Sequence, residues 1–179
     1  MIYKYRYRTP NDFSDIIMNS DGESLTGLWF EGSRDSSKHT MNCEEKNLEI
    51  FQEISRWLDI YFGGKNPDFI PKYRIENLTS FRQEVIDIMN TIDFGRTITY
   101  QDISKMIAEK RGILKMSAQA VGGAVGWNPI CIIIPCHRVI GTNASLTGYG
   151  GGIQNKVALL KLEGHDMSKF IIPNKGTAI

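Results

Sequence analysis

The chain has little cysteine: three residues in 179, an odd number with no CxxC pair. That argues against a disulfide framework and offers no spacing suited to a zinc site. No apolar run approaches the roughly 18 residues of a membrane span, so no membrane is expected as a partner. The opening Met1-Ile2-Tyr3-Lys4-Tyr5-Arg6 lacks the apolar stretch of an export signal, and a reducing cytoplasm is the expected compartment. There is no internal repeat and no low-complexity tract. Net charge is small as well, formally +1. Its distribution is less even: residues 79–179 hold 11 Lys/Arg against 7 Asp/Glu, and residues 1–78 hold 10 against 13. The basic excess in the second half is weak support for a polyanionic partner.

What is present falls into two parts. Residues 1–78 read as a mixed α/β unit. Ile2 to Arg8 alternates aromatic and basic residues, and Leu25 to Phe30 offers a second strand. A polar loop follows from Gly32 to Thr40. Leu48, Phe51, Ile54, Ser55, Leu58 and Phe62 then fall on helical spacing, stopped by Gly63-Gly64. Residues 66–77, with Pro67 and Pro71, read as a linker. Residues 79–179 read as mainly helical. Ser80 and Gln83 suggest a capping box for a helix ended by Gly95. Thr99 suits the N-cap of a helix broken by Gly112, Ser117 caps Ala118 to Val125, and Ile153 to Glu163 forms a last helix before Gly164.

Thr99 to Val125 has the outline of a helix-turn-helix, in which the second helix enters a groove. That second helix is built from small residues, among them Ala118, Ala120, Gly122, Gly123 and Ala124. A glycine inside a helix costs about 1 kcal/mol relative to alanine, so something must approach this helix closely. Packing against another helix is the alternative explanation.

The apolar run Cys131 to Ile134 leads into Pro135-Cys136-His137-Arg138-Val139. A thiol at the mouth of a buried segment, beside an imidazole and a guanidinium, has the neighbours that favour a thiolate. Adjacent side chains in an extended segment point opposite ways, so contact between Cys136 and His137 needs a turn after Pro135 or a bridging water. A base acting on a nucleophile is usually oriented by a third group. Glu163, Asp102 and Asp166 are the candidates. Cys43 and Cys131 lack activating neighbours and read as inert, and His39 and His165 read as solvated. Asn128-Pro129 suits a side-chain-tied turn. In Gly148-Tyr149-Gly150-Gly151-Gly152 a tyrosine among glycines could stack on a flat ring. A cysteine hydrolase using Cys136, His137 and Asn128 is a competing reading, poorly matched by the adjacent Cys-His order.

Taken together, these motifs resemble the O6-alkylguanine-DNA alkyltransferases, also called methylated-DNA–protein-cysteine methyltransferases. Besides Pro135 to Val139, the likeness includes Thr97-Ile98-Thr99-Tyr100, Ala120 to Ala124, Asn128-Pro129, Gly148 to Gly152 and Leu159 to Gly164. It is dense over residues 79–164 and loose over residues 1–78. The resemblance implies an α+β fold: a small ribonuclease-H-like α/β domain (1–78), then a mainly helical domain with a winged-helix-like helix-turn-helix (79–179). It implies a cytoplasmic monomer without cofactor that binds double-stranded DNA through the minor groove and flips out O6-alkylguanine. The alkyl group passes irreversibly to Cys136, once per molecule. O4-alkylthymine stays open as a second lesion.

The same resemblance assigns roles. His137 would deprotonate Cys136 through a water, oriented by Glu163. Tyr100 would donate towards guanine N3, and Asn128 would brace the turn. Tyr149, Gly150, Gly151 and the Val139 carbonyl would line the base pocket. Ala118, Gln119, Ala120, Gly122 and Arg138 would meet DNA. The family commonly carries an arginine at the position of Gln119, which fills the gap left by the flipped base. Some members hold zinc in the first domain. Here only Cys43 and His39 could contribute to such a site, so no metal is expected. Alkyltransferase-like proteins that bind damage without repairing it replace the cysteine that this chain keeps.

Overall fold

In the computed structural model, residues 1–40 and 42–173 are described. The first half is a four-stranded sheet with one long helix, its strands lying side by side in the order third, second, first, fourth. Strands β1 (Tyr3–Tyr7), β2 (Ile16–Ser20) and β3 (Leu25–Phe30) form an antiparallel meander, and the short β4 (Glu44–Glu45) runs parallel to β1. β2 has no expectation in the sequence. All five of its residues are buried, so Ile16-Ile17-Met18-Asn19-Ser20 shows none of the alternation that marks a strand with one wet face.

Helix α1 (Glu49–Phe62) presents Phe51, Ile54, Leu58 and Tyr61 as its buried stripe. Tyr61, rather than Phe62, completes the 3-4-3 spacing, and Phe62 sits at the margin. The expected polar loop at 32–40 contains a 3-10 turn, Arg34–Lys38, whose Asp35 is buried. His39 is not solvated as expected. It stacks on Trp29 with ring centroids 3.9 Å apart, and burial lowers its pKa to about 4. His165 also packs, edge-on against Phe170.

The second half begins with α2 (Ser80–Met89). Its N-cap is Thr79, whose hydroxyl accepts from the Arg82 N–H, and Gln83 donates to Asp87 instead of closing a box. The helix stops at Met89, well before Gly95, which adopts a φ of +75° in the following turn. The Thr99 expectation holds in full. Its side chain and that of Asp102 form a reciprocal capping box on α3 (Tyr100–Arg111), and Gly112 ends that helix in the left-handed region. Ser117 caps α4 (Ala118–Gly126) by accepting from the Ala120 N–H. A two-stranded parallel pair, β5 (Ile98–Thr99) and β6 (Val139–Ile140), and helix α5 (Ile153–Leu162) complete the half.

One hydrophobic cluster includes Ile16, Phe51, Val85, Val121 and Leu159, and so crosses from the first half into the second. The backbone also crosses. Leu28 N–H donates to Pro129 O at 2.9 Å, and Cys131 N–H donates to Leu28 O at 3.0 Å. Strand β3 therefore holds the segment that leads into Cys136. Among the described residues no helix is long and apolar enough to cross a membrane.

Candidate active site

The turn that carries Cys136 is fixed by Asn128. Its side-chain amide donates to Ile130 O at 3.2 Å and Ile134 O at 3.0 Å, and its oxygen accepts from Ile130 N–H at 3.0 Å. The turn needs such holding, because Ile132 sits at a φ of +68°. A β-branched residue there stores about 1–3 kcal/mol of strain. Pro135 then starts a 3-10 turn, Cys136–Arg138. This turn places three consecutive side chains in the interior.

Four residues converge on Glu163, at the end of α5. Tyr61 Oη donates to Oε1 at 2.6 Å, and His137 Nε2 lies 2.7 Å from the same oxygen. Arg138 donates from Nε at 3.1 and 3.0 Å to Oε1 and Oε2, and from Nη2 at 3.0 Å to Oε1. Gly95 N–H donates to Oε2 at 3.0 Å. Burial opposes the charged form of Glu163, but the His137 and Arg138 bonds outweigh it and hold the carboxyl far below its ordinary range. The other two carboxylates are committed elsewhere: Asp102 to the α3 cap and Asp166 to the Ser168 N–H and hydroxyl.

His137 is wholly buried, and desolvation keeps it neutral against the pull of Glu163. A neutral ring that donates Nε2–H to Glu163 has Nδ1 as its acceptor, and Nδ1 is buried without a partner among the described residues. Cys136 is 6% exposed. Against the expected thiolate-favouring setting, its thiol is on balance pushed up, by burial first and then by the Asp35 carboxylate. His137 and Arg138 are both committed to Glu163. An Asn128 hydrogen bond, Lys38 and Lys156 pull it down.

Arg138 departs from expectation. It is buried, pairs with Glu163, donates from Nη1 to Ile92 O at 2.6 Å and lies over the Phe94 ring. It holds the site from inside and is not a surface contact. Val139 is buried too, and its carbonyl accepts from Lys156 Nζ at 2.7 Å. Lys156 is fully buried, and desolvation lowers its pKa to about 8. Its second acceptor, at 3.2 Å, is Thr147 O. Tyr61 and Lys156, which pack into this centre, are absent from the sequence expectations. Only Tyr61 carried a signal, as part of the α1 stripe.

Tyr149 is buried against this centre, and its loop is tightly built. A β-carbon on Gly151 would fall 2.6 Å from the Tyr149 ring and 3.1 Å from Phe30. Asn155 Nδ2 fixes the loop through Gly151 O at 2.8 Å. Tyr100, the first residue of α3, donates to Thr147 O at 3.2 Å, and burial raises its pKa, so the phenol stays protonated.

Tyr100 also lines an open cleft of about 1360 Å³. Ala118, Gln119 and Gly122 line it from α4, whereas Ala120, equally exposed, does not. Ala124 is buried in the core, but among the described residues nothing packs closely on the glycines of this helix. A β-carbon on Gly122 would only touch Tyr100 at 3.9 Å, and one on Gly123 or Gly126 would meet no atom within 4 Å. Packing of another helix against these glycines is therefore not the reason.

The family profile described as "6-O-methylguanine DNA methyltransferase, DNA binding domain" matches residues 80–165. A methylated-DNA–protein-cysteine methyltransferase of Methanosarcina acetivorans is 44% identical over 83% of this chain and 91% of that protein. One of Haemophilus influenzae is 35% identical over 86% of this chain and 83% of that protein. The crystal structure of Mycobacterium tuberculosis OGT in complex with DNA superposes with a TM-score of 0.74 at 32% identity, covering 94% of each chain. With a buried cysteine beside a His-Glu pair and relatives matched over most of both chains, the protein belongs to the methylated-DNA–protein-cysteine methyltransferase family.

Proposed function

We propose that this protein repairs O6-alkylguanine in DNA by direct reversal, as a methylated-DNA–protein-cysteine S-methyltransferase that transfers the alkyl group to its own Cys136. The observation that carries the reading is the neutral, buried His137: Nε2 is fixed by Glu163, and Nδ1 is left to accept a proton. His137 takes the Cys136 proton through one water. The thiolate sulfur attacks the alkyl carbon. An S–C bond forms as the C–O6 bond breaks, and the electron pair passes into the guanine ring. Tyr100, protonated in its buried setting, gives its proton towards guanine N3 and is later reprotonated. A thioether is a poor leaving group, so each molecule acts once.

DNA enters along the cleft lined by α4. We assign α3 and α4 to a winged-helix-like helix-turn-helix whose second helix lies in the minor groove. The narrow groove accounts for small residues where no protein atom packs. The lesion is flipped towards Tyr149, Gly150, Gly151 and the Val139 carbonyl, whose second lone pair remains for the exocyclic amine. Gln119 fills the gap in the duplex without adding charge. Residues 1–78 form a ribonuclease-H-like unit that supports the 79–179 unit, and the protein acts as a cytoplasmic monomer.

The test is stoichiometry. With excess duplex containing O6-methylguanine, lesion loss stops at one per protein molecule, and the intact protein gains one methyl group. Repeated turnover, or tight binding with no loss of the lesion, sinks the reading.

A further inference from the structure

The 3-10 turn Arg34–Lys38 of the first half makes contacts that the transfer reaction above does not use. Asp35 and Lys38 form an ion pair at 2.5 Å, with side chains only 7% and 23% exposed. The Lys38 ammonium also donates to Gly126 O at 2.6 Å and to Asn128 O at 3.2 Å. Gly126 is the last residue of α4. Carbonyls at a helix C-terminus lack intrahelical partners and favour a cation. Asn128 ties the turn that leads to Cys136. The Asp35 carboxylate is packed on the loop beside Tyr149, where a β-carbon on Gly150 would fall 1.9 Å from Oδ1. One ion pair from the first half thus touches the end of α4, the Asn128 turn and the Tyr149 loop.

We propose that Lys38, held by Asp35, is a positioning residue for alkyl transfer: it locks the DNA-facing helix α4 and the Cys136 turn into one relative setting. The proposal rests on the reading of Cys136 as the alkyl acceptor. The pair also sets a local charge balance. The titratable and charged groups acting on Cys136 are Asp35 and Lys38 from the 3-10 turn, Lys156 from α5, Tyr100 from α3, and Tyr149 and Cys131 beside it. His137 and Arg138 share its turn and are committed to Glu163. Asp35 disfavours the thiolate and Lys38 favours it. Removing the lysine alone leaves a buried carboxylate acting on the thiol.

The experiment is single-turnover methyl transfer from a duplex containing O6-methylguanine, followed across pH, with duplex affinity and melting measured in parallel. The variants are Lys38→Met, Lys38→Arg, Asp35→Asn and the double variant Asp35→Asn/Lys38→Met. Lys38→Met is expected to slow transfer several-fold more than it weakens DNA binding. It also moves the rise of rate with pH upward, by up to about one unit. Lys38→Arg restores both. Asp35→Asn moves the rise to lower pH, and the double variant returns it towards the wild type. An unmoved pH midpoint in the single variants overturns the proposal, as does a rate loss matched by loss of folded protein. If Lys38→Met does not fold, Asp35→Asn decides: transfer slowed several-fold beyond any change in duplex affinity supports the proposal, and an unchanged rate overturns it. A wild-type chain that takes up no methyl would instead overturn the reading of Cys136, so the two failures are distinct.

Discussion

The Glu163 cluster and helix α4 are built in opposite ways. Around Glu163, Tyr61, Gly95, His137 and Arg138 satisfy two carboxylate oxygens out of contact with water. Along α4, six of nine residues are alanine or glycine, and room for side chains is left empty. The first region is over-determined, as a site must be when it holds one imidazole in one protonation state. The second gives up helix stability to keep a surface bare. On the proposed function, chemistry and recognition divide between them: the interior fixes the reagent, and the open face is left for DNA.

The comparison breaks most visibly at Glu163. Glu163→Gln leaves Arg138 buried without its counter-charge, and a loss of about 3–5 kcal/mol is expected in denaturant unfolding. A loss below about 1 kcal/mol would mean that the cluster is not what holds the turn.

Acid should act on the same region next. His137 is kept neutral by burial, and His39 is lowered to about 4. Their unfolded values lie near 6.5, so the unfolded chain binds these protons first. Stability is therefore full above about pH 6.5 and falls as pH drops towards about 4. Below the ordinary glutamate value of about 4.3, the depressed carboxyl of Glu163 adds a further loss. Melting temperatures across pH check this. His39→Phe is expected to flatten part of the upper limb.

On α4 the same kind of test should run the other way. Gly123→Ala adds a methyl where no protein atom stands, so it is expected to stabilise the fold by about 0.5–1 kcal/mol while weakening duplex binding. Stabilisation with unchanged binding would mean that Gly123 does not face DNA. The smallest stability effect belongs to Gln119→Arg, at an exposed position. It should leave unfolding unchanged, tighten duplex binding and steepen the salt dependence of log K by about one. An unchanged salt slope and transfer rate would remove this position from the interface.

The same division governs what could be read from the sequence. Cys136, His137 and Arg138 are legible because they are adjacent and unusual together. The α4 signature is legible because glycines inside a helix violate propensity. The caps at Thr99 and Ser117 are local and hold. Thr79 was missed because Ser80 and Gln83 imitate a capping box one position along. Glu163 could be named only from the family pattern, since three carboxylates fit the residues alone. Asp35, Lys38 and Lys156 were illegible in principle. Charged residues are seldom buried unless paired; Lys38 and Lys156 meet carbonyls far away in the chain, and the i, i+3 spacing of Asp35 and Lys38 does not show that the pair turns inward. Arg138 was read outward for a similar reason: nothing local shows that its guanidinium turns in to Glu163.

If one particular sulfur is the acceptor, peptide mapping will find it. After reaction with O6-methylguanine duplex, digestion should place a single methyl on the peptide that contains Cys136. Cys43 and Cys131 serve as unmodified controls in the same sample, and Cys136→Ala should take up none. Methyl found on Cys131 or Cys43, or uptake that survives Cys136→Ala, would contradict the account.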